Sequence, residues 1–237
     1  MVSTTSARPS GPLVEVPVLI LLGLSFPLAL ATHKLASVAL GIGATLRHAR
    51  ERSLNPRLAA FVLACGLPGV VLGARVVLSL PPRLSTLLLG LLTIGLGLYS
   101  IARPNLGTGG GGRQLDRRGL AIGGAGLFAI GVLNGSLTSG TGLFVTIWLV
   151  RWFGLDYSRA VAYTLILVGL FWNGAGALTL GVQGQIAWSW VPMLLAGSIA
   201  GGYLGAHLAI ARGSRVVKRA FEVLSLLMGA SLLVKSF

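Results

Sequence analysis

The sequence predicts an all-α protein, a polytopic bundle of transmembrane helices built from two inverted repeats with broken or re-entrant half-helices. Three observations carry that prediction. First, 54% of the 237 residues are hydrophobic and only 10% charged, with a mean hydropathy of +0.85, far from the balance of a water-soluble domain. Second, the apolar residues fall into long runs, Leu58–Leu80, Leu84–Ala102, Ala160–Val182, Ile186–Ala211 and Val216–Val234. Each is close to the roughly 20 residues a helix needs to cross about 30 Å of hydrocarbon. Third, the segment from about Val16 to Pro104 can be laid over Ile147–Phe237 at an offset of 131 to 132 residues. Gly23-Leu24 then falls on Gly154-Leu155, Gly43-Ala44 on Gly174-Ala175, and Gly69, Leu72 and Gly73 on Gly201, Leu204 and Gly205.

Helices are preferred to barrel strands because the runs show no alternation of polar and apolar residues, and a backbone in lipid must satisfy its own hydrogen bonds. The 35 glycines fit this reading. They weaken soluble helices but let membrane helices approach closely, and Gly69/Gly73 and Gly197/Gly201/Gly205 recur at the four-residue spacing of such contacts.

Taken in order, residues 1–12 form a polar tail without the apolar stretch of a signal peptide, and residues 13–102 form the first repeat. A Gly/Arg linker, 103–118, leads to the second repeat, 119–237. The formal charge of +14 sits in short loops beside the spans, so it reads as a topology signal and excludes nucleic acid as the expected partner. Arg47, Arg50, Arg52 and Arg57 place the first long loop in the cytoplasm, while its counterpart, Gly181–Gln185, is uncharged. The following turn holds only Arg83 in the first copy but Arg212, Arg215, Lys218 and Arg219 in the second. The bias reverses between copies, as an inverted repeat requires.

Between the linker and Ala160, the segment Gly119–Arg151 is too long for one span and is interrupted by Asn134-Gly-Ser-Leu-Thr-Ser-Gly-Thr-Gly142. It is expected to form two short half-helices in a hairpin or re-entrant element. Because Gly142 aligns with Gly11, the partner of Gly119–Thr141 would precede residue 1. Either the coding start lies upstream or the first repeat works incomplete.

Unwound backbone at membrane depth is tolerated where it lines a cavity or is buried in protein. Around the break, Asn134, Gly135, Ser136, Thr138, Ser139, Gly140, Thr141 and Gly142 supply amide and hydroxyl donors, and the half-helix starting near Thr141 offers free N–H groups to an anion. In the first copy the matching polar cluster is Thr32, His33, Lys34 and Ser37. Lys34 either attracts the anion or snorkels to the interface. His33 either titrates during transport or serves as a bonded structural residue. The five acidic residues are expected in loops or near span ends, which disfavours cation transport. A lone Cys65 excludes an internal disulfide or a cysteine metal site, and neither a metal nor a cofactor is expected.

Ala29-Leu-Ala-Thr-His-Lys-Leu-Ala-Ser37, Gly43-Ala-Thr-Leu-Arg47, Gly131–Gly142 and Gly201-Gly-Tyr-Leu-Gly-Ala206 together resemble the TauE/SafE sulfite exporter-like permeases. The resemblance implies a multi-pass permease of the bacterial inner membrane that exports sulfite or organosulfur anions, with Lys34 and the 134–142 element as binding candidates. Two departures stand out: His33 occupies a position that is usually Asn in the family, and the first glycine-rich signature is absent apart from Gly11. Two alternatives are a non-transporting membrane subunit and an intramembrane serine protease using Ser139 and His207, although Leu137 breaks the G-x-S-G pattern of the latter.

Overall fold

The computed structural model describes residues 11–48, 54–102, 116–137, 140–198 and 214–236, and they are almost wholly helical, with no strand among them. The helices are α1 (Gly11–Leu21), α2 (Phe26–His48), α3 (Pro56–Ser79), α4 (Pro82–Ala102), α5 (Arg117–Ser136), α6 (Thr141–Arg151) and α7 (Tyr157–Tyr163). A π-helical segment (Thr164–Trp172) joins α7 without a break to α8 (Asn173–Gly181); α9 covers residues 191–198 and α10 Ser214–Ser236. Among the described residues, four stretches are long and apolar enough to cross a membrane: Pro56–Ser79, Pro82–Tyr99, Arg117–Ser136 and Arg159–Gly181. Large apolar side chains such as Leu72, Leu91, Leu98, Phe171 and Leu178 stand on their outer surfaces, as a lipid solvent allows.

Polar residues mark where the helices start. Asn55 caps α3 by accepting from the Arg57 N–H (2.9 Å), with Pro56 in the first turn, where its missing donor costs nothing. Asp116 caps α5 through the Gly119 N–H (2.7 Å) and Asp156 caps α7 through the Arg159 N–H (2.9 Å). The Tyr163 hydroxyl ties the α3 entrance to α7, accepting from the Asn55 N–H at 2.6 Å and donating to Asn55 O at 3.2 Å.

The two segments aligned in the sequence share a local plan. Both α1 and α6 have 11 residues, and each is followed by a glycine in the left-handed region, Gly23 (φ 102°) and Gly154 (φ 68°), at positions the alignment superposes. At Gly23 the turn closes with Gly23 N–H to Ile20 O (3.0 Å) and Leu24 N–H to Leu19 O (3.1 Å), a Schellman arrangement that turns the chain into α2. Helices α4 and α10 run antiparallel, since Gly90 lies against Gly229 and Leu232 whereas Gly97 lies against Ser225 and Leu226. Helix α2 likewise runs antiparallel to the π segment and α8, with Gly41 against Gly169 and Leu170, and Lys34 against Gly176.

Two expectations change. Helix α5 is not a short half-helix but a continuous helix of 20 residues. Its glycines are contact surface rather than breaks: Gly131 lies on the Gly66 carbonyl of α3 and Gly135 on the Val70 carbonyl, so the two helices meet backbone to backbone. Helix α6 is short, as expected, and returns along α5. The stacked indoles of Trp148 and Trp152, with centroids 5.1 Å apart, donate to Gly123 O and Gly119 O at 3.0 and 2.9 Å. The run expected to be helical from Ile186 instead starts at residue 191, with Pro192 in its first turn, where the missing donor costs nothing. The rest of that run, the 1–10 portion of the tail and the 103–115 portion of the linker lie outside the described residues.

Candidate functional site

Lys34 is the ninth residue of α2, about 12 Å along the axis from Phe26 at 1.5 Å per residue. It does not snorkel: its side chain is 0% exposed. The methylene stem lies along Gly176 of α8, where a Cβ would stand 2.8 Å from Cδ and 3.0 Å from Cε. The ammonium reaches inward to the end of α5, donating to Asn134 O at 2.8 Å, Asn134 Oδ1 at 3.1 Å and Asn173 Oδ1 at 3.5 Å. Asn134 O is among the last carbonyls of α5, which lack partners within the helix and sit at the negative end of its dipole, so a cation is well placed there.

The same asparagine reaches across the break. Asn134 Nδ2 donates to Thr141 Oγ1 at 2.8 Å, joining the end of α5 to the first residue of α6. Gly140 precedes α6 with φ 67°, a left-handed conformation that lets the chain reverse, and no side chain caps the helix. A buried cation, two amide side chains, a hydroxyl and the positive end of α6 thus converge on one helix break. Behind them, Thr146 Oγ1 and Thr164 Oγ1 meet at 2.8 Å and lock α6 to the π segment.

Among the sequence candidates, the structure brings together Lys34, Asn134, Gly140 and Thr141. Gly142 starts α6 beside them, with its carbonyl accepting from Thr146 Oγ1 at 2.9 Å. Gly135 is used for packing on α3, and Ser136 Oγ donates back to Val132 O at 2.8 Å within α5. Thr32 donates to Leu28 O at 2.6 Å and accepts from the Ala187 N–H at 3.0 Å, which fixes the turn before α9. His33 and Ser37 bond away from Lys34: His33 Nδ1 is 2.8 Å from Glu15 Oε2 on α1, and His33 Nε2 is 3.2 Å from Ser37 Oγ. Glu15 and Glu222 therefore depart from the expected placement of every acid in a loop or near a span end, since Glu15 lies within α1 and faces a buried ring and Glu222 is the ninth residue of α10. Thr138, Ser139 and His207 lie outside the described residues.

Sequence reasoning missed Asn173, Gly176 and Glu15. Asn173 is the single side-chain amide in the apolar run Thr164–Gly181, and that isolation is the signal that could have found it. An apolar groove of about 440 Å³ between α3 and α5, lined by Phe61, Cys65, Pro68, Leu120 and Phe128 among others, includes none of the residues around Lys34.

Comparisons with known proteins agree with this architecture. The family model described as "Sulfite exporter TauE/SafE" matches residues 9–232. A "Probable membrane transporter protein" of Haemophilus influenzae is 28% identical over 222 residues, covering 94% of this chain and 86% of the relative. The "Probable membrane transporter protein YfcA" of Escherichia coli is 26% identical over 226 residues, covering 95% and 83%. No solved structure matches the chain.

Proposed function

Because the chain belongs to the sulfite exporter TauE/SafE family, whose model spans nearly all of it, we propose that it exports small anions, sulfite or organosulfur and sulfonate anions, by alternating access across the inner membrane of a bacterial cell. As a transporter of this family it works in a lipid bilayer on a small-molecule substrate. The observation that carries the anion reading is the Lys34 ammonium, buried at the break between α5 and α6. A solute reaching that break meets a cation and the N-terminal end of α6, both of which favour negative charge.

Alternating access is supported by the two copies, taken as residues 13–102 and 119–237 with 103–118 as a cytoplasmic linker. Gly97 lies beside Leu226, and Gly229 lies beside Ile94. At an offset of 132 residues these are one contact seen from either copy, the reciprocity expected around a two-fold axis. Aligned helices running antiparallel favour opposite insertion of the copies.

Flux of labelled thiosulfate and sulfite in proteoliposomes tests the activity. The expected outcome is saturable movement of at least one of them down its gradient. No flux of any sulfur oxyanion above protein-free vesicles would leave the non-transporting subunit as the better reading. The inverted arrangement has its own measurement, using single cysteines in a Cys65→Ser background. Arg50→Cys and Arg215→Cys are expected to react with an impermeant maleimide from the same face of the membrane, and Gln183→Cys from the other. Labelling of the first two from opposite faces would remove the inverted repeat.

A further inference from the structure

We propose that Glu15, His33 and Ser37 form a buried proton-binding site that is loaded together with the anion at Lys34; this inference rests on the anion reading above. The three groups form a chain between α1 and α2. The His33 side chain is 1% exposed and that of Glu15 17%, with Nδ1 to Oε2 at 2.8 Å and Nε2 to Ser37 Oγ at 3.2 Å. The second carboxylate oxygen, Glu15 Oε1, is buried with no hydrogen-bond partner. Structural carboxylates elsewhere in the chain act differently: Asp116 and Asp156 spend an oxygen on capping a helix.

The arrangement suits a proton that comes and goes. With Nδ1–H donated to Glu15, a neutral ring accepts at Nε2 from the Ser37 hydroxyl. Once Nε2 is protonated it donates, and the hydroxyl has only to rotate to accept. Both protonation states thus keep both hydrogen bonds, so the cycle breaks neither. The carboxylate–imidazole–hydroxyl order is also that of a nucleophilic triad, but Ser37 lies inside α2, whose backbone N–H groups are committed to the helix and form no oxyanion hole.

Charge arithmetic links this site to Lys34. One added proton takes the Glu15–His33 pair from a net charge of minus one to zero, next to the residue proposed to hold the anion. An anion at Lys34 and a proton on the pair therefore favour each other, and by linkage the effect is mutual. Other charged and titratable groups on the packed elements lie mostly toward their far ends. Glu15 is the one such residue of α1, and on α2 Lys34 is the neighbour while Arg47 and His48 follow 13 and 14 residues later. On α10, Lys235 donates to Ile20 O at the end of α1, Glu222 has an interaction of its own, and Arg215, Lys218 and Arg219 belong to the opposite end of the helix from Lys235. Helix α4 carries Arg83 and Tyr99, while the π segment and α8 carry no titratable side chain. Net flux would follow the sum of the two gradients, so an outward anion gradient still drives export and takes protons with it.

The test uses the full-length purified protein in weakly buffered detergent solution with a pH-indicator dye. Thiosulfate is the probe, because its own charge does not change near neutral pH, and binding is measured by calorimetry on the same sample. The expected result is uptake of about one proton per thiosulfate bound. His33→Asn and, separately, Glu15→Gln should bind more weakly and take up close to none per anion. Wild-type binding without proton uptake overturns the proposal and leaves the anion reading standing, as does undiminished uptake in a variant that binds. Failure of the wild type to bind thiosulfate at all removes the anion reading, and the proton site with it.

Discussion

Lys34→Gln is expected to reduce anion transport by about two to three orders of magnitude without unfolding the protein, measured as initial flux and apparent KM in proteoliposomes. Two unit charges about 4 Å apart interact by about 4 kcal/mol at the effective dielectric suited to protein sites. At 1.4 kcal/mol per tenfold this approaches a thousandfold in affinity. Glutamine keeps an amide donor one bond short of the ammonium nitrogen, beside Asn134 and Asn173, so what it removes is chiefly the charge. Stability should move the other way or not at all, since replacing a buried charge by a neutral group of similar size is often neutral or stabilising. Falling flux with an unchanged unfolding midpoint separates a binding role from a structural one. Lys34→Arg is not a rescue. The stem passes so close to Gly176 that a Cβ there would stand 2.8 Å from Cδ, and the bulkier planar guanidinium would have to fit the same buried space. Wild-type flux in Lys34→Gln would show that the buried ammonium only holds α2, α5 and α8 together.

Much of this site could be read from the residues because membrane depth makes polar groups conspicuous. Lys34 and Asn134 stand out in apolar surroundings, and the start of α6 at Thr141 follows from Gly140-Thr141-Gly142. Gly23 and Gly154 fall on one another in the sequence alignment, and both take the left-handed backbone that selects glycine, although the turns themselves were not read. Tertiary pairing was not legible. The Glu15–His33 contact spans 18 residues across a turn, and no local rule says that α1 folds back with its one carboxylate against that ring. Glycine played two parts. Gly140 stands at the break expected between Asn134 and Gly142, whereas Gly131 and Gly135 are the surface on which α3 rests, so the same residue type served bending at one place and packing at the other. The π segment left no mark on the sequence, because the apolar run Thr164–Trp172 suits any helix and its wider winding depends on what packs against it.

The crossing of α2 with the π segment should tolerate little added bulk, and three single-methyl variants rank it. A Cβ at Gly41 would stand 2.6 Å from the Gly169 carbonyl carbon and 2.8 Å from Leu170 Cα, and closer still to the Leu170 nitrogen. These are backbone atoms in a continuous helix and cannot swing aside. Gly41→Ala must therefore push the two helices apart, at a cost of at least about 1–3 kcal/mol for overpacking. The separation also falls two turns from Lys34, so it draws the ammonium away from Asn173 and should reduce flux together with stability. On the opposite side of the crossing, a Cβ at Gly169 would meet Gly41 Cα at 3.1 Å, a tight contact relieved by a small shift. At Gly174 the nearest atom is Val38 Cγ2 at 3.9 Å, an ordinary contact. The expected order of damage is Gly41→Ala, then Gly169→Ala, with Gly174→Ala near wild type, in both thermal unfolding midpoint and anion flux. Equal damage at all three positions, or Gly174→Ala as the most damaging, would mean that interhelical distance does not govern this crossing, and a gain in stability at all three would mean that helix propensity does, since alanine is the better helix former at each site.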